Sequence, residues 1–406
     1  MSTIPQKSSA SPSGPGWLFM ATLAAITLIG PLAVHAFLPV MPIIKNEFGI
    51  SDALAGMSFT VGLLVMAFAT LIYGSLSDRY GRRPVLLAGL ALFIIGGVLS
   101  SFATSYPGFI AGRMLQALGA GCSITLARAV ARDAYGAEVL VKVIAYLTMA
   151  YTLGPMLSPY ITGLIVDSAG WRAAFWFMAA AGTVILLISW LILVETHPKE
   201  ARQPKGGNYL RDYQKLFAHI RFACYVLQSG FSSGCFYTMA AASAFLMTGY
   251  LGRSASEFGS YFALFPFGFF LGNLVSSRLS GRVSIETMVI TGGSINFLAI
   301  TAQSAIILNG HLSPLVLFVP GALITFGQGL ALPNATSGAM RVIPGLAGTA
   351  SGIGVFCQTF LGALCAQIYS TISDGTPLSM VWVVWFCSVM TLSAGCIPYI
   401  LKRRDK

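Results

Sequence analysis

Twelve long apolar stretches constrain the fold of this chain more than any other feature. They are bounded by Gly, Pro, Asn or charge and cover approximately residues 17–40, 53–76, 84–104, 107–130, 142–166, 171–194, 222–250, 257–277, 285–308, 312–333, 345–371 and 378–401. About 20 apolar residues in a helix cross a bilayer, so each stretch is long enough for one span. The sequence therefore predicts an all-α polytopic membrane protein with twelve transmembrane helices in two six-helix halves.

The composition agrees with this prediction and leaves little room for other domains. Only 9% of the residues are charged, against roughly 25% in soluble proteins. We predict a disordered cytoplasmic tail over 1–16, an N-terminal half over 17–194, a polar cytoplasmic linker over 195–221, a C-terminal half over 222–401 and a basic cytoplasmic tail over 402–406.

The basic residues indicate how the chain lies in the membrane. Of the 24 Lys and Arg residues, Lys45, Arg172 and Arg253 fall on one side, Arg113 falls inside a span, and all the others fall on the opposite side. Positive residues accumulate on the cytoplasmic side, so both termini are expected in the cytoplasm of a plasma (inner) membrane protein. The same bias accounts for the net charge of +11 without nucleic acid. The expected partners are the lipid bilayer and a small-molecule substrate, with the protein acting as a monomer.

A short charged turn joins the second and third spans. It reads Gly74-Ser75-Leu76-Ser77-Asp78-Arg79-Tyr80-Gly81-Arg82-Arg83, and Gly81 is free to take a positive φ there. Gly281-Arg282 repeats Gly81-Arg82 at the same place in the second half. An echo of this kind is typical of a duplicated bundle with a site between its halves.

The spacing G-x-L-x-D-R-x-G-R-R in this turn resembles the loop motif between helices 2 and 3 of major facilitator superfamily transporters, and the match is complete. The resemblance implies a twelve-helix transporter in which Gly74, Asp78, Arg79, Gly81 and Arg82 form a cytoplasmic gate. It also implies that Asp78 meets the N-terminus of the eleventh helix in the outward-facing state. The alternative is an ordinary positive loop.

The fourth span carries Arg113 and Gln116 on one helix face. A charge inside the membrane is costly, so Arg113 is expected to face a cavity and, with Gln116, to line it or relay a proton. The alternative is an arginine that extends to the outer interface. The pattern R-x-x-Q-x-x-G also resembles the fourth-helix motif of the same superfamily.

The fifth span contains Gly154-Pro155 followed by Pro159. Each proline removes a backbone donor, which predicts a helix bend. The pair resembles the antiporter motif of the superfamily's drug exporters, although Met156, Leu157 and Ser158 replace glycines that are usual there. The alternative to a functional bend is a tolerated kink.

The first span ends in His35-Ala36-Phe37-Leu38-Pro39-Val40-Met41-Pro42. It resembles the D-x-x-x-P-x-x-P pattern of twelve-span drug:proton antiporters, with His35 in place of Asp. All 13 acidic residues fall in loops or near span ends. His35 titrates near physiological pH in its unperturbed state, so it is the leading candidate for a proton carrier. The alternative is a neutral histidine bonded to a carbonyl group or to water.

Small and polar residues fill the tenth and eleventh spans. Together with Ala127-Arg128-Ala129-Val130-Ala131-Arg132-Asp133, they resemble the bicyclomycin and chloramphenicol resistance (Bcr/CflA) branch of the drug exporters. We take Tyr151, Tyr237, Phe265, Gln328 and Gln358 as candidates for the cavity wall. Most of these side chains are of types that also serve simply in helix packing.

The predicted function is secondary active transport, namely proton-coupled efflux of small amphipathic compounds by alternating access. Neutral or anionic substrates are expected, because the predicted cavity contains Arg113 and no carboxylate. No nucleotide-binding or zinc-protease motif occurs, and the seven cysteines form no metal-binding pattern, so we expect no enzyme activity and no cofactor besides a proton gradient. The alternatives are a metabolite importer or exchanger of the same fold and, more remotely, a receptor or scaffold that does not transport.

Overall fold

The computed structural model describes residues 16–135, 137–197 and 214–404. Most of the predicted N-terminal tail and most of the predicted linker therefore lie outside the described residues. The described chain forms α1 (Trp17–Glu47), α2 (Asp52–Tyr80), α3 (Arg82–Ser101), α4 (Tyr106–Ala134), α5 (137–169), α6 (171–192), α7 (Ile220–Phe245), α8 (Ala255–Leu279), α9 (Ile285–Leu308), α10 (Pro314–Val342), α11 (Ala347–Ile372) and α12 (Leu378–Arg404).

The predicted count of twelve helices is confirmed. Ten stretches are long and apolar enough to cross a membrane, and one of them, Lys142–Ile192, has 51 residues. At 1.5 Å per residue this stretch is about 77 Å long, more than twice the hydrocarbon thickness. It divides at Gly170, which has a φ of 79°. The ten stretches thus hold eleven helices. The remaining helix, α7, is less hydrophobic because it carries polar residues such as Gln228 and Ser232.

The turn between α2 and α3 is shorter than the sequence predicts. Residues 74–80 continue α2 as helix, and α3 begins at Arg82. Gly81 alone makes the connection, with a φ of 102° and a ψ of 154°. A side chain would be strained in that conformation, so glycine is required here.

The two six-helix groups, α1–α6 and α7–α12, meet mainly along two pairs of helices. α2 packs against α11, and α5 packs against α8. We call the end of the bundle that carries Arg79–Arg83 the basic end. The opposite end, where Glu47 and Arg253 lie, is called the far end.

Candidate functional site

A cavity of ≈ 1000 Å³ lies between the two halves. The N-terminal half contributes Arg128 from α4 and Thr148, Met149 and Thr152 from α5. The C-terminal half contributes mostly small and polar side chains together with two aromatic rings, including Phe269, Phe270, Asn273, Ser276, Asn334, Ser337 and Gln358. The lining also includes Ser280 and Ser284 in the turn between α8 and α9, so the cavity reaches the basic end.

The far end is closed where α2 meets α11. The Gln367 side chain donates a hydrogen bond to the carbonyl of Ala53 at 3.1 Å, and Thr60 donates to the carbonyl of Ala363 at 3.4 Å. Gly56 lies so close to Ser370 that a Cβ atom would overlap with the serine side chain. This contact between α2 and α11 is close-packed.

The second closure at the far end joins α5 to α8. Gly163 and Gly259 let the two backbones approach, because a Cβ atom at either position would meet backbone atoms of the facing helix. Asp167 accepts hydrogen bonds from the backbone N–H groups of Ala255 at 3.1 Å and Ser256 at 2.9 Å. The carboxylate thus caps the N-terminus of a helix in the other half, where the helix dipole favours a negative charge.

At the basic end, the gate residues predicted from the sequence form a network within the N-terminal half. The buried guanidinium of Arg82 contacts Asp78 at 2.6 Å, the hydroxyl of Ser77 at 2.6 Å and Asp133 at 2.9 Å. Gly74 lies within α2 with open space around it. The guanidinium of Arg79 lies over the ring of Tyr80 at 5.2 Å. Within the described chain, no hydrogen bond or ion pair joins Asp78 to α11.

Sequence reasoning missed two members of this network. Asp133, near the end of α4, is the second carboxylate on Arg82. Glu195, just after α6, accepts hydrogen bonds from the backbone N–H groups of Arg82 at 2.9 Å and Arg83 at 3.2 Å, and so caps the N-terminus of α3. Their acidic side chains at span ends were the available signal, but sequence distance concealed their proximity to Gly81.

Arg113 and Gln116 lie together, but neither is among the residues that line the cavity. The Arg113 guanidinium donates to Gln116 Oε1 at 2.5 Å and to the carbonyl of Ala33 at 3.2 Å. It also lies over the ring of Phe37 at 4.2 Å. Arg113 is 2% exposed and Gln116 is fully buried. The pair therefore joins α4 to α1 inside the N-terminal half.

His35 lies where α1 meets the other half of the molecule. Its ring centroid is 6.0 Å from that of Phe236 on α7 and 6.2 Å from that of Phe262 on α8. Its Nδ1 atom is 3.2 Å from the carbonyl of Pro31. A carbonyl accepts a hydrogen bond, so the neutral ring carries its hydrogen on Nδ1 and leaves Nε2 able to accept a proton.

Gly154, where the sequence predicts a bend, lies at a close contact between α5 and α1. A Cβ atom on Gly154 would overlap with the ring of Pro31. The backbone of this helical stretch stays helical through Pro155 and Pro159, and its non-helical residue is Gly170. Gly154 thus allows the approach of the two helices.

The five residues predicted to line the cavity wall have different surroundings in the structure. Gln358 lines the cavity. The Tyr151 ring lies beside Gly30 of α1, and the Tyr237 ring centroid is 6.1 Å from that of Phe59 on α2 in the opposite half. Phe265 is fully buried within the C-terminal half against Phe318. Gln328 donates to the hydroxyl of Ser233 at 3.2 Å, between α10 and α7.

Arg128 is a cavity residue that sequence reasoning placed among the basic residues at the membrane surface. It lies six residues before the end of α4, which is about 9 Å along the helix. It makes no hydrogen bond or ion pair with any described residue. By contrast Glu286, which also lines the cavity, is bound to Lys402 at 2.6 Å.

Comparisons with known proteins agree with this architecture. The family model of the Major Facilitator Superfamily matches residues 19–366. A "Bicyclomycin resistance protein homolog" of Haemophilus influenzae is 26% identical over 383 residues, covering 93% of this chain and 95% of the relative. "Multidrug resistance protein MdtL" of Escherichia fergusonii is 28% identical over 374 residues, covering 92% and 94%.

Solved structures resemble the fold over nearly its whole length. A bacterial homologue of the human lysosomal transporter Spinster has a TM-score of 0.76 at 19% identity, covering 93% of this chain and 96% of that structure. A D-xylose-proton symporter has a TM-score of 0.76 at 15% identity, covering 94% and 97%. The family and branch predicted from the sequence are confirmed.

Proposed function

Because the chain belongs to the Major Facilitator Superfamily, we propose that it exports small amphipathic compounds, neutral or anionic, in exchange for protons. It is a multi-pass membrane transporter and not an enzyme. Two of its relatives are named for resistance to bicyclomycin and to multiple drugs, which supports a role in drug efflux. The proton gradient supplies the energy, and the protein works as a monomer.

The observation that carries the proposal is the asymmetry of the interface between the halves. A cavity of ≈ 1000 Å³ reaches the basic end. The far end is closed by the contacts of α2 with α11 and of α5 with α8. A bundle with a site between its halves that is open at one end suits alternating access, in which the halves rock about the site.

We assign the basic end to the cytoplasm and both termini to the same side of the inner membrane. The assignment follows from the excess of Lys and Arg at this end. With this orientation the structure is inward-facing, and a substrate enters the cavity from the cytoplasm before the halves rock.

We assign the proton to His35. Its Nε2 atom is able to accept a proton, and its ring lies between the halves against Phe236 and Phe262. A proton there places a positive charge at an interface that has to separate during transport. Charge at this position therefore biases the packing of one half against the other.

Everted membrane vesicles test the proposal. The uptake of chloramphenicol is measured in vesicles with an imposed pH gradient, without one, and after addition of a protonophore. We expect uptake that requires this chain and collapses with the gradient. Growth tests with a panel of inhibitors in a pump-deficient host identify further substrates.

A second candidate function rests on the replacement of the first-helix Asp by His35. An importer or exchanger of metabolites needs no such carboxylate. In that case vesicles exchange an internal for an external solute, and neither the pH gradient nor the protonophore changes the rate. A complete lack of solute movement favours the receptor or scaffold.

A further inference from the structure

We infer that Arg128 is the anion-binding group of the transport cavity and that it sets the preference for anionic over neutral substrates. This inference rests on the proposed function, because it names a specificity residue for the same cavity. Arg128 is the only residue of α4 that lines the described cavity, and the facing wall belongs to the other half.

Within the described chain, Arg128 has neither a hydrogen bond nor an ion pair, whereas Arg113 on the same helix has partners in Gln116, the Ala33 carbonyl and the Phe37 ring. A guanidinium that is already engaged has little capacity for a ligand. An unengaged guanidinium is a ready partner for a carboxylate, which it binds through two parallel N–H groups.

The charged residues that line the cavity are Arg128, Arg341, Lys402 and Glu286. Glu286 is held by Lys402 at 2.6 Å, which neutralises that pair and leaves the two arginines uncompensated. A bound cation would meet net positive charge, whereas a bound anion would be attracted to it.

Groups of two further kinds share the cavity with the Arg128 guanidinium. Neutral hydrogen-bonding groups such as Thr148, Thr152, Asn273 and Gln358 share the cavity with it. Phe269 and Phe270 supply apolar surface. Together these groups fit an amphipathic molecule with an aromatic portion and one negative group.

The test uses two probes that share a scaffold and differ by one carboxylate, namely chloramphenicol and chloramphenicol succinate. The full-length protein is purified in nanodiscs, and the equilibrium binding of each probe is measured. A hydrogen bond to a charged group corresponds to roughly a tenfold to hundredfold change in affinity. For Arg128→Gln we expect a loss of this size for the succinate and less than about a threefold change for chloramphenicol.

Two further variants make the test specific. Arg128→Lys keeps the charge but loses the planar fork, so it should weaken succinate binding less than Arg128→Gln does. Arg132→Gln removes the same charge one turn later on α4, where the side chain is 65% exposed and lies outside the cavity lining. This control should bind both probes as the wild type does.

The inference is overturned if Arg128→Gln weakens both probes equally, if it changes neither, or if the wild type binds chloramphenicol at least tenfold more tightly than the succinate. A wild type that binds neither probe and transports no compound in vesicles contradicts the proposed function itself. The two failures are therefore distinguishable.

Discussion

The carboxylate of Asp167 accepts a hydrogen bond from the backbone N–H of Ser256 at 2.9 Å, which joins the last turns of α5 to the first turn of α8 in the other half. The expected outward-facing contact of Asp78 with the N-terminus of α11 has the same chemistry at the opposite end. In each case a carboxylate near the end of a helix in the first half caps a helix of the second half. Two such caps, made in alternation, would stabilise the two states of the transporter.

Loss of the Asp167 charge should favour opening of the far end. Asp167→Asn keeps the size of the side chain but removes the attraction to the helix dipole, which is worth about 1 kcal/mol, or roughly a fivefold shift between the two states. Ser370 is 1% exposed in the α2–α11 contact. A Ser370→Cys background should therefore react severalfold faster with a membrane-impermeant maleimide from the far side when Asp167 is replaced.

Glu257 provides the control for this experiment. It lies in the first turn of the same helix but pairs with Arg253 at 3.5 Å, within its own half. Glu257→Gln should leave the labelling rate unchanged. Equal rates in the Asp167→Asn variant and the parent would contradict a role of Asp167 in closure.

Loss of the Asp78 charge should act in the opposite direction. In this structure Asp78 contacts Arg82 of its own half. The expected contact of Asp78 with the N-terminus of α11 can therefore form only when the basic end closes. Asp78→Asn should favour the inward-facing state by a similar factor of a few. A Gln358→Cys background should then be labelled faster from the basic end, because Gln358 lines the cavity. Unchanged transport and labelling would remove Asp78 from the gate.

Replacement of His35 should uncouple transport from protons. His35→Gln keeps a polar side chain near the Pro31 carbonyl but does not titrate. Transport driven by a pH gradient should fall at least tenfold, while the melting temperature of the purified protein should change little. Should the pH dependence of transport persist, the proton must bind elsewhere, and Asp133 is then the next group to test.

Replacement of Arg113 should impair the fold rather than substrate selection. Arg113→Lys loses the planar group that contacts Gln116, the Ala33 carbonyl and Phe37 at the same time. Unsatisfied buried polar groups cost about 1–3 kcal/mol, so the melting temperature should fall by several degrees. Transport of neutral and anionic probes should fall together. A selective loss of the anion at unchanged stability would place Arg113 in the substrate site after all.

The sequence by itself determined the membrane class, the twelve helices and the charged motif between the second and third of them. Apolar runs long enough to cross a bilayer leave a helix as the only way to satisfy their backbone groups, and this constraint is local. The pattern around Asp78 and Gly81 is also contiguous in the chain. Features of this kind need no knowledge of which helices touch.

The tertiary structure alone decided which arginine of α4 faces the cavity. Arg113 and Arg128 are 15 residues apart, so at about 100° per residue they project in directions only about 60° apart. Their helix positions therefore predict similar environments. The difference arises along the axis of the bundle: Arg113 is enclosed by α1, where it contacts the Ala33 carbonyl and the Phe37 ring, whereas at Arg128 the halves separate around the cavity. That separation depends on how two six-helix halves tilt against each other, which no local pattern in the chain encodes.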